Sequence, residues 1–209
     1  SMLEGQLSTE NQQEYTLISG IKTGIERLQR IIGDMIDVSL IDNDLLQLNF
    51  QPVWINQLLE IARDELAVLV KDRQLYFVFE DFPGSKQQTF GDPERLYQAF
   101  WNLLSNAVKY TPDGGSITVS GRKLPGFIEV TVEDTGIGID PANQDRIFEK
   151  FSGFRNIDLH SSSKTNFKGG GPGLGLPITK GIIEAHGGTL WVESECHDEK
   201  ACPGSTFHV

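Results

Sequence analysis

The run from Asp92 to Gly115 limits what this chain can become more than any other stretch. Asp92 is a good helix N-cap and Pro93 suits the first helical position. The helix they open has to stop at Thr111-Pro112-Asp113-Gly114-Gly115. With about 100° of turn per residue, Leu96, Phe100, Leu103 and Ala107 make an apolar stripe. Asn102, Asn106 and Lys109 share a second stripe roughly 110° round the helix, with Tyr110 beside it. Such a helix buries one face and aligns two amides and an ammonium along an adjacent edge. Amide oxygens can ligate a hard cation, and an ammonium can meet phosphate.

A chain of 209 residues with 38% apolar content can bury a sizeable core in one or two domains. Its net charge of −11 argues against a nucleic-acid or anionic-membrane surface. No run approaches the ~18 apolar residues of a membrane span, and no secretory signal opens the chain. The initial Ser-Met reads as a cloning remnant, so the native chain is expected to extend upstream. Cys196 and Cys202 lie close together in a polar stretch, either as reduced thiols or as a pair. The four histidines have no metal-ligand spacing with them, and no zinc site is expected.

Residues 12–42 read as one long helix. Ile18, Ile25 and Ile32 recur every seven residues, with Ile21, Leu28 and Met35 between them. The stripe asks for a partner helix, in this chain or another. Ile41-Asp42-Asn43-Asp44 breaks the pattern as a hinge. Leu46, Leu48 and Phe50 then alternate as a strand ended by Pro52, and Ile55–Lys71 is an amphipathic helix. A strand follows over Leu75–Phe82. Ser116–Lys123 and Phe127–Asp134 form a hairpin turned at Pro125-Gly126. After a short helix and a polar loop over Ser152–Pro172 come a helix near Leu174–Ala185 and strands near Thr189–Glu193 and Thr206–Val209. Helices and strands mix without strict βαβ alternation, which predicts an α/β fold, a two-layer α/β sandwich preceded by a long helix.

Asp134 continues the face of Ile128, Val130 and Val132 that otherwise points at the core. A carboxylate there needs donors. It either receives one from a ligand, such as the exocyclic amine of adenine, or caps the turn Thr135-Gly136-Ile137-Gly138. Gly136 and Gly138 permit close backbone approach. Downstream, the glycines from Gly169 to Gly175 feed a helix start, which offers N–H groups to phosphate. The run matches neither a Walker A loop nor a dinucleotide fingerprint. Arg155, Lys164 and Lys168 against Asp158 make the Ser152–Pro172 loop locally basic. It is either a lid over polyphosphate or a solvated surface loop.

Together these stretches resemble the catalytic ATP-binding domain of sensor histidine kinases, within the GHKL superfamily. NLLSNAVKYTP (102–112) is similar to the N box, DTGIGI (134–139) to the G1 box, FEKF (148–151) to the F box and GPGLGL (171–176) to the G2 box. Gly187-Gly188-Thr189 and Gly204-Ser205-Thr206-Phe207 resemble the family's closing turn and last strands. The resemblance implies a Bergerat fold over 45–209. It also implies that 1–44 is the end of a helical dimerisation and phosphoacceptor domain with its hinge. By that likeness Asp134 takes the adenine amine, while Gly136 and Gly138 line the base pocket. Asn106 ligates Mg²⁺ with Asn102 supporting it, Lys109 meets phosphate, and Tyr110 stacks near the nucleoside. Gly171, Gly173, Leu174, Gly175 and Leu176 carry the lid's exit and the phosphate-facing helix start, with Phe148 and Phe151 packing the lid's base.

The implied activity is that of a histidine protein kinase using ATP and Mg²⁺, with a response regulator receiver domain as partner. The likeness further implies a homodimer through the helical domain of the intact protein and a cytoplasmic location, whether or not the intact protein is membrane-anchored. The family's phosphoacceptor histidine motif is missing from these 209 residues, so the chain is expected to bind Mg-ATP without phosphorylating itself. Two other readings stand beside this one. The first is an ATP hydrolase or clamp resembling gyrase B or MutL, which usually carry a glutamate where this chain has Asn102. The second is a non-catalytic module whose lid is ordered by nucleotide.

Overall fold

The computed structural model describes residues 2–152 and 173–209, excepting the side chains of 2–16, 68, 69 and 72. Helix α1 (Met2–Asp42) begins well before residue 12 and ends where Asn43-Asp44 was expected to break it. Then come β1 (Gln51–Trp54), α2 (Ile55–Asp72), β2 (Tyr76–Phe79), β3 (Gln88–Gly91) and α3 (Pro93–Tyr110). The hairpin β4 (Ser116–Leu124) and β5 (Phe127–Asp134) turns at Pro125-Gly126 as expected. Two short 3₁₀ turns, Pro141–Asn143 and Arg146–Phe148, stand where a short helix was read. Beyond residue 172 lie α4 (Gly175–Ala185), β6 (Trp191–Glu193) and β7 (Ser205–His208).

The main sheet has the order β2-β4-β5-β7-β6, with β2 parallel to β4 and every other pair antiparallel. One face carries Ile117, Val119, Val130, Val132 and Phe207, all buried with α2, α3 and α4 in a single core. The other face has no helix layer among the described residues. This is the two-layer α/β sandwich that the sequence implied.

Residues 45–50 correct one expectation. They form an irregular connector, and the strand begins at Gln51. Pro52 lies inside β1, opposite Phe90, in a two-stranded ribbon with β3. A proline is tolerated there because an edge strand has bonding groups that no neighbour needs. The connector is held instead by Asn49, whose N–H donates to Asp92 Oδ2 at 2.9 Å.

Both ends of α3 are fixed by ionic groups. At the start, Asp92 Oδ1 accepts from the N–H groups of Glu94 and Arg95. Burial disfavours its ionised form, yet the backbone donors of Asn49, Arg95 and Glu94 outweigh this and hold the carboxyl below its ordinary range. The Asp92 N–H donates to His186 Nε2 at 2.9 Å, so the ring proton sits on Nδ1 and is given to Ile182 O. At the far end the buried guanidinium of Arg73 donates to Val108 O at 2.8 Å and Thr111 O at 2.7 Å, and pairs with Asp113. These are carbonyls that the last turn of a helix leaves without partners.

Among the described residues, helix α1 meets the sandwich through its last turns. Asp37 pairs with Arg95 at 2.7 Å and accepts from Gln98 Nε2 at 2.6 Å. Lys150 pairs with Asp42, and Ile41 packs where Gly181 has no side chain. Upstream, the heptad stripe lies open, from Ile18 at 63% exposed to Met35 at 52%. Among the described residues the sandwich does not supply the partner that this stripe asks for.

Replacing Arg73 by Ala should strand the Val108 and Thr111 carbonyls and lower stability by roughly 2–4 kcal/mol. The measurement is a urea transition, with the midpoint falling at unchanged slope. Arg73→Lys should recover only part of the loss, since an ammonium cannot reproduce the planar fork.

Candidate functional site

The site is built where the end of β5, the open edge of α3 and the start of α4 converge. Asp134 is the last residue of β5 and is 4% exposed. Its Oδ1 accepts from the Gly136 N–H at 2.8 Å and its Oδ2 from Ser205 Oγ at 3.0 Å. It thus does cap the glycine turn, the more modest of its two expected roles. Burial pushes its carboxyl up to about 6, against which the Gly136 and Ser205 donors pull downward. A further donor arriving at this carboxylate would complete its solvation.

The glycine turn is tied on two sides. Ile137 N–H donates to Tyr110 O at 3.2 Å, joining the turn to the end of α3. On the other side, Gly204 N–H donates to Gly136 O at 2.9 Å and Ile139 N–H to Ser194 Oγ at 2.9 Å. A side chain at 136 would strike Asp134 Oδ1 and the Tyr110 carbonyl. Gly138 has φ of +70°, and a side chain there would meet the Cys196 carbonyl.

On α3, Leu96, Phe100, Leu103 and Ala107 are buried as the apolar stripe required. Asn102, Asn106, Lys109 and Tyr110 are partly exposed along the other edge. Lys109 Nζ lies 4.6 Å from the Tyr110 ring centroid, within cation–π range. Asn102 Nδ2 donates to Gly175 O at 3.2 Å, which brings the edge against the first turn of α4. Among the described residues no side chain caps the N-terminus of α4, whose first N–H groups are of the kind that meet an anion. The amide oxygens of Asn102 and Asn106 are hard donors of the kind Mg²⁺ takes, and Lys109 adds a positive charge, so the donor set fits a magnesium–phosphate group.

Phe148 packs partly buried against the core, with Lys180 Nζ 5.5 Å from its ring centroid. Phe151 adopts φ of +59°, and its N–H donates to Gly173 O at 3.2 Å. Gly173 (φ +69°), buried Leu174 and half-buried Leu176 lead into α4. Phe151 and Leu174 line one side of a cleft of about 230 Å³ whose other side is Met35, Val38 and Asp42 of α1. Gly171 and nearly all of the basic Ser152–Pro172 stretch lie outside the described residues. A second depression of about 360 Å³ on the sheet's rim is lined by Glu133, Glu193 and Glu195. Its charge is wrong for a polyphosphate.

Sequence reading missed Ser205 as the partner of Asp134, Ser194 as the support of Ile139, and Thr179, whose Oγ1 lies 3.4 Å from Asn102 Nδ2. The available signal was the pairing of β5 with β7, which sets Asp134 opposite Ser205.

The raised pKa of Asp134 has a testable consequence. Below its ordinary value of 3.8 the carboxyl is neutral in both states, and up to about 6 the unfolded chain ionises first. Its contribution to stability should therefore fall as pH rises through that window, by an amount on the order of 3 kcal/mol, and stay flat above it. Urea unfolding of wild type and Asp134→Asn between pH 4 and 7 isolates the effect. The difference, wild type minus variant, should decline to about pH 6 and then level.

Comparison with known proteins identifies the family. The family model described as "Histidine kinase-, DNA gyrase B-, and HSP90-like ATPase" matches residues 91–209. The adaptive-response sensory kinase SasA of Synechococcus elongatus is 30% identical over 92% of this chain and 46% of its own length. The chain spans less than half the length of the curated relatives it matches. The crystal structure of full-length ShkA in complex with AMPPNP superposes with a TM-score of 0.70 at 25% identity, over 87% of this chain and 35% of that one. The histidine kinase ThkA in complex with the response regulator TrrA shares the fold (TM-score 0.63, 21% identity, 90% of this chain and 48% of that one). With a matching model over more than half its length, and a buried acid, amide edge and glycine turns in one sandwich, the chain belongs to the histidine kinase-, DNA gyrase B- and HSP90-like ATPase family.

Proposed function

We propose that this chain is the ATP-binding catalytic part of a sensor histidine kinase, which positions Mg-ATP for phosphoryl transfer to a histidine and thence to a response regulator receiver domain. The observation that carries the reading is the convergence of buried Asp134, the Asn102–Lys109 edge and the start of α4 on one side of the sandwich. Residues 45–209 are the catalytic domain. Residues 1–44 are the end of the dimerisation and phosphoacceptor domain, whose open heptad stripe suits a homodimer. The reading places the domain in the cytoplasm. Among the described residues no helix is long and apolar enough to cross a membrane.

Asp134 accepts the adenine amine, and Gly136 and Gly138 let the base approach the turn. Tyr110 packs near the nucleoside. Asn106 holds Mg²⁺ with Asn102 in support, and magnesium when bound neutralises charge on the phosphates. Lys109 adds a second cation to that task, and Gly173, Leu174, Gly175 and Leu176 present the first N–H groups of α4 to the phosphate tail. Gly171 belongs to the same run by sequence. Phe148 and Phe151 brace the base of the segment that leads there. Phosphoryl transfer asks mainly for in-line placement and charge neutralisation, which these groups supply.

The same family includes hydrolases. An amide at 102 has no basicity with which to activate water, and a sensory kinase among the relatives, SasA, aligns with nearly the whole chain.

Calorimetric titration with a non-hydrolysable ATP analogue, with and without Mg²⁺, tests the site. Asp134→Asn should weaken adenine nucleotide at least tenfold, and unchanged affinity would remove its adenine role. Asn106→Ala should weaken the Mg²⁺ complex roughly tenfold and metal-free nucleotide less than about twofold, whereas equal losses would remove the metal assignment. Mixing the chain with a separate segment carrying the phosphoacceptor histidine helix and labelled ATP should label that histidine. Phosphate release without a labelled histidine would favour the hydrolase.

A further inference from the structure

Thr179 lies one turn into α4 and is fully buried at 0% exposure, although it belongs to none of the motifs that define the site. Its Oγ1 donates its single proton to Gly175 O at 2.9 Å, so towards α3 the hydroxyl can only accept. Asn102 Nδ2 meets both oxygens, Gly175 O at 3.2 Å and Thr179 Oγ1 at 3.4 Å. Chemistry then decides the orientation of the amide. Turned the other way, Asn102 would press its carbonyl oxygen against two acceptors. With the nitrogen held by α4, Oδ1 is free, and among the described residues no donor reaches it. It sits beside Gly175, 3.6 Å from where a side chain there would begin, at the start of α4.

We propose that Thr179 is a positioning residue for the nucleotide site: its hydroxyl, with the Gly175 carbonyl, locks the Asn102 amide so that Oδ1 stands as an acceptor on the Asn106–Lys109 edge. The inference rests on the ATP-site reading above and deepens it. A locked amide presents one oxygen, oriented before any cation or its water shell arrives. An unlocked amide samples both orientations and offers an NH₂ group to a cation in part of the population. The lock also ties α3 to the first turn of α4, so the amide oxygen and the helix N–H groups hold one spacing.

Two substitutions separate the hydroxyl from its volume. Thr179→Val keeps the branched shape and removes the acceptor, while Thr179→Ser keeps the acceptor and removes the methyl group. The first readout needs no nucleotide: the side-chain amide ¹⁵N–¹H signals of Asn102, assigned by their loss in Asn102→Ala. They should be displaced from solvent-exposed asparagine values in wild type and Thr179→Ser, and move towards those values in Thr179→Val. Signals unchanged by Val would overturn the lock. The second readout is calorimetry with a non-hydrolysable ATP analogue. Thr179→Val should lose roughly tenfold in affinity for the Mg²⁺ complex, with metal-free nucleotide affinity within about twofold of wild type and Ser near wild type in both. Equal losses with and without Mg²⁺, or a Ser variant as weak as Val, would show that Thr179 serves packing and overturn the proposal. A wild type that binds no adenine nucleotide would overturn the ATP site itself, and the amide signals would still decide on the lock.

Discussion

Helix α3 is held at each end by a charge of the sign that its dipole favours. Asp92 meets the N–H groups of its first turn and Arg73 the carbonyls of its last. Everything else at the site is referred to that helix. Through Asp92, the start of α3 is coupled to His186 and to the connector from α1. Through Tyr110, its end fixes the height of the glycine turn beneath Asp134. Because the turn is also bound to Gly204 and Ser194, the buried carboxylate sits in a frame with little freedom to relax around its own charge. Its raised pKa reflects burial, which the Gly136 and Ser205 donors only partly offset.

How far the fold could be read from the sequence depended on how local its signals were. Helix α3 was bounded correctly because its cap and its Pro-Gly stop lie within the stretch itself. The β4–β5 hairpin was bounded to within a residue for the same reason, with its turn residues between its strands. By contrast, β3 runs through Gln88-Thr89, where composition says loop. It is a strand only because β1, more than thirty residues earlier, pairs with it. Residues 45–50 show the opposite error. Leu46, Leu48 and Phe50 alternate as a strand would, but among the described residues no neighbouring backbone pairs with them.

The same division runs through the site. Asp134 was conspicuous as an acid on a core-facing row, and Asn102, Asn106 and Lys109 as polar groups sharing one helix edge. Their supports were not. Ser205 reaches Asp134 from 71 residues away, and Thr179 reaches Asn102 from 77. Each is a small hydroxyl that sequence alone gives no reason to single out. Chemistry-bearing residues announce themselves because they break a local pattern. The groups that orient them need only one good hydrogen bond, and only tertiary register reveals which residue supplies it.

The contact between Phe151 and Gly173 says something about how such a domain can vary. One backbone hydrogen bond brings the chain back to its starting point before α4 begins. The two ends of the intervening stretch are therefore joined at the sandwich itself. The entropy of closing a loop grows only with the logarithm of its length, about 0.6 kcal/mol per doubling. With the ends joined in this way, a change in the length of that stretch costs little in closure entropy.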